Sequence, residues 1–113
     1  MSGDYFGYQE YAIKEIVTSI EEVLNRQGKR KPKDELYGDI KYYEEHPEEL
    51  YYYTYSEIVQ EKIKEGIKQL KIAAVYARRI DFLLSSDDGD ESFLIRLSED
   101  LNKLKYENKN DND

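Results

Sequence analysis

Residues 57–84 read EIVQEKIKEGIKQLKIAAVYARRIDFLL. Val59, Ile63, Ile67, Leu70, Ala74, Ala77, Ile80 and Leu84 recur there at spacings of three and four, the stripe of a helix with one apolar face. Ser56 stands where a capping hydroxyl belongs, and Ser85-Ser86-Asp87-Asp88-Gly89 breaks the pattern, so a helix over about 57–84 is predicted. At about 1.5 Å per residue it is roughly 40 Å long. A helix of that length organises whatever packs beside it, and Ala73, Ala74 and Ala77 are small enough to admit a neighbour closely.

Two further stretches have the same periodicity. Ile13, Ile16, Val17, Ile20, Val23 and Leu24 predict a helix over about 8–27, stopped by Gly28 as a C-cap and by Pro32 beyond it. Phe93, Leu94, Leu97, Leu101 and Leu104 predict a last helix over about 90–106, with Asp88 and Glu91 spaced as a capping box. Between the first two, residues 29–55 are irregular. Short helical turns are expected at about 33–44 and 47–52, and the Tyr-rich run Leu50 to Tyr55 is expected to be extended, with no partner strand elsewhere. The predicted fold is all-α: a small antiparallel bundle of three main helices with an irregular Tyr-rich connection, one domain over 1–107 and a disordered tail over 108–113.

Leu, Ile, Val and Phe together make 27 of 113 residues. That is just above the roughly one-fifth below which chains tend to stay unfolded, so a thin core is expected. The chain carries 17 Lys and Arg against 25 Asp and Glu, a net charge of −8. Residues 58–84 run the other way, with six cations against three acids, which suggests a basic helix lying between acidic neighbours. The acidic balance argues against direct nucleic-acid binding, because phosphate contacts need a basic face. There is no Cys and one His, so thiolate metal sites are excluded and neither a cofactor nor a metal is called for. No run approaches the roughly 18 apolar residues of a membrane span, and no signal-peptide pattern opens the chain, so no membrane partner and a cytoplasmic location are expected.

Few residues form a pattern that carries chemistry. His46 stands alone beside Pro47, no nucleophile has an evident base, and there is no phosphate-binding Gly loop, so an enzyme is not expected. Three clusters are candidate sites. The N-terminal arm places Tyr5, Tyr8 and Tyr11 with Phe6 ahead of the first helix, where the rings either cover the core or present contact area to a partner. Arg78, Arg79 and Asp81 lie near the end of the long helix, where an Arg fork suits a carboxylate or phosphate. The plainer reading is a surface pair of Arg78 with Asp81. Asp81 falls close to the apolar stripe and needs a partner if buried. Asp87 and Asp88 belong to an acidic turn that lacks the spacing of a calcium loop and reads first as helix-capping chemistry. An antiparallel first helix would bring the arm, the two Arg and the acidic turn to one end of the molecule. Tyr51, Tyr52, Tyr53 and Tyr55 form the alternative partner-binding surface.

Met1-Ser2-Gly3 followed by the aromatics up to Tyr11, and the stretch Arg79-Ile80-Asp81, Leu84-Ser85, Asp87-Asp88-Gly89, Glu91-Ser92-Phe93, resemble a family of small phage and prophage proteins. The two stretches cover about a quarter of the chain. The resemblance implies a phage setting, in the cytoplasm of a host cell, where small acidic proteins counter host defence. The expected function is accordingly a non-enzymatic accessory protein that binds and inhibits a host defence or regulatory component. Two alternatives are a sponge sequestering a nucleotide immune signal, with Tyr5, Tyr8 or Tyr11 on the base and Arg78 or Arg79 on phosphate, and an acidic DNA mimic inhibiting a nuclease. The expected partners are thus a host protein or a nucleotide signal, with homo-oligomer formation left open.

Overall fold

A computed structural model describes residues 5–36 and 38–111, with side chains as far as Glu107. Four α-helices are found among them: α1 (Tyr11–Arg26), α2 (Ile40–Glu45), α3 (Glu57–Leu84) and α4 (Asp90–Asp111). The fold is all-α with three long helices, as the periodicity predicts. Helix α3 has the expected bounds. Ser56 Oγ accepts the Val59 N–H at 3.3 Å at its start. At its end the Ser86 N–H donates to Leu83 C=O at 3.1 Å and the Asp87 N–H to Phe82 C=O at 2.9 Å. With Ser86 at φ 66°, this is a Schellman closure in which serine holds the left-handed position usually taken by glycine.

Helix α1 starts at Tyr11 rather than near residue 8 because Gly7 and Tyr8 both have positive φ, 61° and 63°, which no helix tolerates in its body. Gly28 follows its C-terminus at φ 74°, and its N–H leaves the helix to donate to Tyr52 C=O at 3.0 Å. Helix α4 continues through Asp111, past the expected end near 106 and through 108–111 of the stretch read as a tail. Nothing between Asp90 and Asp111 is a Gly or Pro that would stop it. Its start differs too: Ser92 Oγ, and no Asp88–Glu91 box, takes the Gly89 N–H at 3.0 Å.

The connection holds 3₁₀ turns at Lys33–Glu35 and Pro47–Leu50 around α2. The extended Tyr-rich run has a partner after all. Lys31 N–H donates to Leu50 C=O at 2.8 Å and Tyr52 N–H to Lys29 C=O at 2.9 Å, around an antiparallel bridge between Arg30 and Tyr51. Gln27 fastens this ribbon to the helices: its Oε1 accepts the Tyr55 N–H at 2.8 Å while its Nε2 donates to Leu24 C=O at 3.0 Å.

Helices α1 and α4 both run antiparallel to α3 and pack on it from opposite sides, and among the described residues their backbones do not approach each other within 8 Å. The three lie side by side in one layer, with overall extents of 64 × 33 × 16 Å. The Cα radius of gyration is 19.7 Å, against about 13 Å for a compact chain of this length. A single layer has no interior. Val17, Ile67 and Ala74 are the buried apolar side chains among the described residues, and Val59 and Leu84 at the ends of the α3 stripe are 43% and 45% exposed.

Candidate functional site

The end of α3 gathers the densest chemistry. Asp81 is fully buried, at 0% exposure, on the apolar stripe of α3. An isolated carboxylate there would be costly, and it is compensated by the N-terminal arm. Phe6 N–H donates to Asp81 Oδ2 at 3.0 Å, Tyr5 N–H donates to Ser85 Oγ at 3.1 Å, and Ser85 Oγ lies 3.4 Å from Asp81 Oδ1. The arm then reverses in a tight turn closed by Gln9 N–H to Phe6 C=O at 3.2 Å, with Gly7 and Tyr8 at its corners. Its backbone is therefore pinned to α3 and Phe6 is half-buried, while its tyrosine rings stay exposed. Tyr5, Tyr8 and Tyr11 are 60%, 54% and 43% exposed, with Tyr8 and Tyr11 6.2 Å apart and Lys14 over the Tyr11 ring at 5.8 Å.

The two arginines lie over the same Phe82 ring, at 5.7 Å for Arg78 and 5.0 Å for Arg79, and differ in their partners. Arg79 turns toward α4, where its Nε lies 2.8 Å from Asp100 Oδ2 and its Nη1 lies 3.6 Å from Asp88 Oδ2. The Asp88 side chain is fully buried, and Arg96 Nη1 meets its other oxygen at 2.5 Å. This clamp joins α3, the turn and α4. Asp88 thus receives cations where a metal ion would have to sit, Asp87 is exposed in the same turn, and no group of three or more His, Asp or Glu converges as a metal site among the described residues. Arg79 and Asp88 are consequently drawn toward α4, while Asp81 is held by the described part of the arm.

Arg78 does not pair with Asp81. It lies over the Phe82 ring at 5.7 Å, and its Nε has no hydrogen-bond partner among the described residues. It lines a trough of about 590 Å³ that runs along one face of the layer between α1 and α4. Lys14 from α1, Lys71 and Arg78 from α3 and Lys103 from α4 surround it, with Val17, Ala74 and Leu104 in its floor and the acids Asp100 and Glu107 at one wall. Arg79 borders it as well, and five cations from three helices around one depression were not legible in the sequence, since Lys14 and Lys103 belong to opposite ends of the chain.

The alternative surface is partly occupied by its own contacts. Tyr52 stacks under Arg26 at 4.5 Å and its hydroxyl donates to the Glu35 carboxylate. That hydrogen bond, followed by burial of the phenol and the Glu35 charge, raises the Tyr52 pKa above its ordinary 10.0. Tyr53 and Tyr51 remain outward, at 73% and 44% exposed, and Tyr55 meets the Tyr53 ring at 5.0 Å. His46 is a surface residue beside Tyr42, 4.8 Å between rings.

No protein-family model, curated protein or solved structure matches the chain. Among the described residues no helix is long and apolar enough to cross a membrane.

Proposed function

We propose that the chain is a non-enzymatic accessory protein of phage or prophage type that binds and inhibits a host defence or regulatory component. The observation that carries the reading is the arm. Tyrosines serving as cover for the core would be buried, whereas Tyr5, Tyr8 and Tyr11 keep 43% or more of their surface in water on a backbone fixed by Asp81 and Ser85. Rings held out on a fixed backbone lose little entropy on contact, which is why tyrosine is favoured in recognition surfaces. The phage setting rests on the resemblance of the arm and the 79–93 stretch. Affinity capture from a bacterial host, with mass spectrometry of bound proteins, tests it: Tyr5→Ala with Tyr11→Ala should lose the captured protein while helical circular dichroism is unchanged. Equal capture by that variant sinks the reading.

A second reading is favoured by the trough. The unpartnered Arg78 Nε and the Lys14, Lys71 and Lys103 side chains suit a phosphorylated small molecule, as a nucleotide sponge would require. Calorimetric titration with ATP and with a cyclic dinucleotide distinguishes it, heat that disappears in Arg78→Ala being the expected signature. The DNA-mimic alternative has no such support: Asp88 and Asp100 are engaged by Arg79, and α2 with its neighbouring turn packs on none of the long helices.

A further inference from the structure

The trough marks one face of the three-helix layer, and the opposite face has a different chemistry. On α1, Lys14 and Thr18 line the trough, which at 100° per residue turns Ile13, Ile16, Ile20 and Val23 to the other side. On α3, Lys71, Val75 and Arg78 line it, which turns Ala73, Tyr76, Ile80 and Leu84 away. On α4, Leu94 and Leu101 share a shallow groove with Ile72 and Tyr76 on that far side. All three helices thus contribute to one apolar face, and its large residues Ile16, Tyr76, Leu84 and Leu94 are 49%, 42%, 45% and 63% exposed.

We propose that this face packs against the same face of a second copy of the chain, so that two three-helix layers enclose the core that neither has alone. Domains are stable as two packed layers about a shared interior, and this chain supplies one. Its accessible surface is 8767 Å², against about 6,500 Å² for a folded monomer of this mass. The excess of about 2,200 Å² is of the size that obligate homodimers remove from water, about 1,000–2,500 Å² per partner. The face is about 33 Å wide and about 27 Å long between Gly66 and Leu84, or roughly 900 Å² in projection.

Charge selects a copy over another occupant. A two-fold interface sets each patch against itself, so any net charge on it repels. On a chain of net charge −8, the stretches Ile13 to Val23, Gly66 to Leu84 and Leu94 to Leu101 place no carboxylate on this face; the α4 row is bounded by Glu91 and Lys105, which are opposite in sign and leave it without net charge. Gly66 adds a second sign. It weakens the middle of α3, yet a Cβ built there meets nothing within 4 Å, so no neighbour within the chain requires it. A helix of a second layer could approach closest across the Gly66 to Ala73 stretch, where a glycine and small side chains leave the backbone open.

Sedimentation velocity and light scattering on the full chain test the pairing. The expected result is a dimer of about twice 13.5 kDa at micromolar concentration, with a Tm that rises as protein concentration is raised. Ile16→Lys with Leu94→Lys changes two residues that are exposed in the single layer, and should shift the species toward monomer by at least tenfold in dissociation constant. Ile95→Lys, at the outer edge of α4 and 58% exposed, should leave the dimer intact. A monomer whose Tm does not depend on concentration overturns the proposal and leaves the face to a different protein. So does a dimer that survives the double substitution, or one that Ile95→Lys disrupts equally.

Discussion

Ser86 holds φ at 66° with a side chain that gains nothing from it, a conformation costing an L-residue about 1 kcal/mol that glycine does not bear. Ser86→Gly should therefore stabilise by about 0.5–1 kcal/mol, read as a higher urea midpoint with unchanged slope. Asp81 works in the opposite direction. Asp81→Ala removes the acceptor of the Phe6 N–H and leaves a buried void, at an expected cost of about 2–3 kcal/mol, and it also releases the arm, so limited proteolysis near residues 5–9 should accelerate. Arm cleavage at the wild-type rate would mean that Asp81 does not hold it. Tyr52 gives a pH signature. Its folded pKa lies above 10.0 because the neutral hydroxyl donates to Glu35, so the stabilisation is complete below the unfolded tyrosine pKa and is lost as pH rises through the folded value. Glu35→Gln should bring that phenol down among the other tyrosines in an alkaline absorbance titration; an unchanged curve would exclude the coupling.

Between elements, the α3–α4 junction depends on Arg79. Removing it strands the fully buried Asp88 side chain with Arg96 as its remaining cation, and Arg79→Ala should cost about 2 kcal/mol in denaturant unfolding. Arg79→Lys should recover only part, because one ammonium cannot face Asp88 and Asp100 together. A loss under about 0.5 kcal/mol would mean solvent screens the pair as at a surface. The bounds of α3 were readable because Ser56 and the Ser85–Gly89 break are local signals. The pinning of Asp81 was readable as a need for a partner, because a carboxylate on an apolar stripe is a local contradiction. What could not be read is on which side of α3 each neighbour lies: the stripe residues Ile80 and Leu84 fall on the open face, and Arg79 reaches the α4 carboxylate Asp100 while the neighbouring Arg78 Nε is left without a hydrogen-bond partner among the described residues. The 28–31 partner of the Tyr-rich run was hidden for another reason, since a pairing this short leaves no alternation to detect. The arm's exposed tyrosine rings were visible as residues but not as a surface, because it takes the Asp81 and Ser85 contacts to show that the backbone does the docking.

At the scale of the molecule, the shape decides what any self-association looks like. A flat layer with a radius of gyration of 19.7 Å already spreads its mass in the plane, so the direction in which a second copy is added controls how the dimensions grow. Stacking two layers face to face at the 8–10 Å spacing of packed helices moves each centre by only about 5 Å, and adding that distance in quadrature gives a radius of about 20 Å. Joining them edge to edge across the 33 Å width gives about 26 Å, and joining them end to end along the 64 Å axis gives more than 35 Å. Small-angle scattering should therefore report a mass that doubles between dilute and concentrated protein while the radius of gyration changes by less than about 1 Å, apart from the hydration shell common to both. A doubled mass with a radius near 26 Å would place the contact on an edge and leave Ile16, Tyr76 and Leu94 in solvent. The same layer geometry keeps the cationic trough off the buried face, so a stacked pair would carry two troughs facing outward on opposite sides.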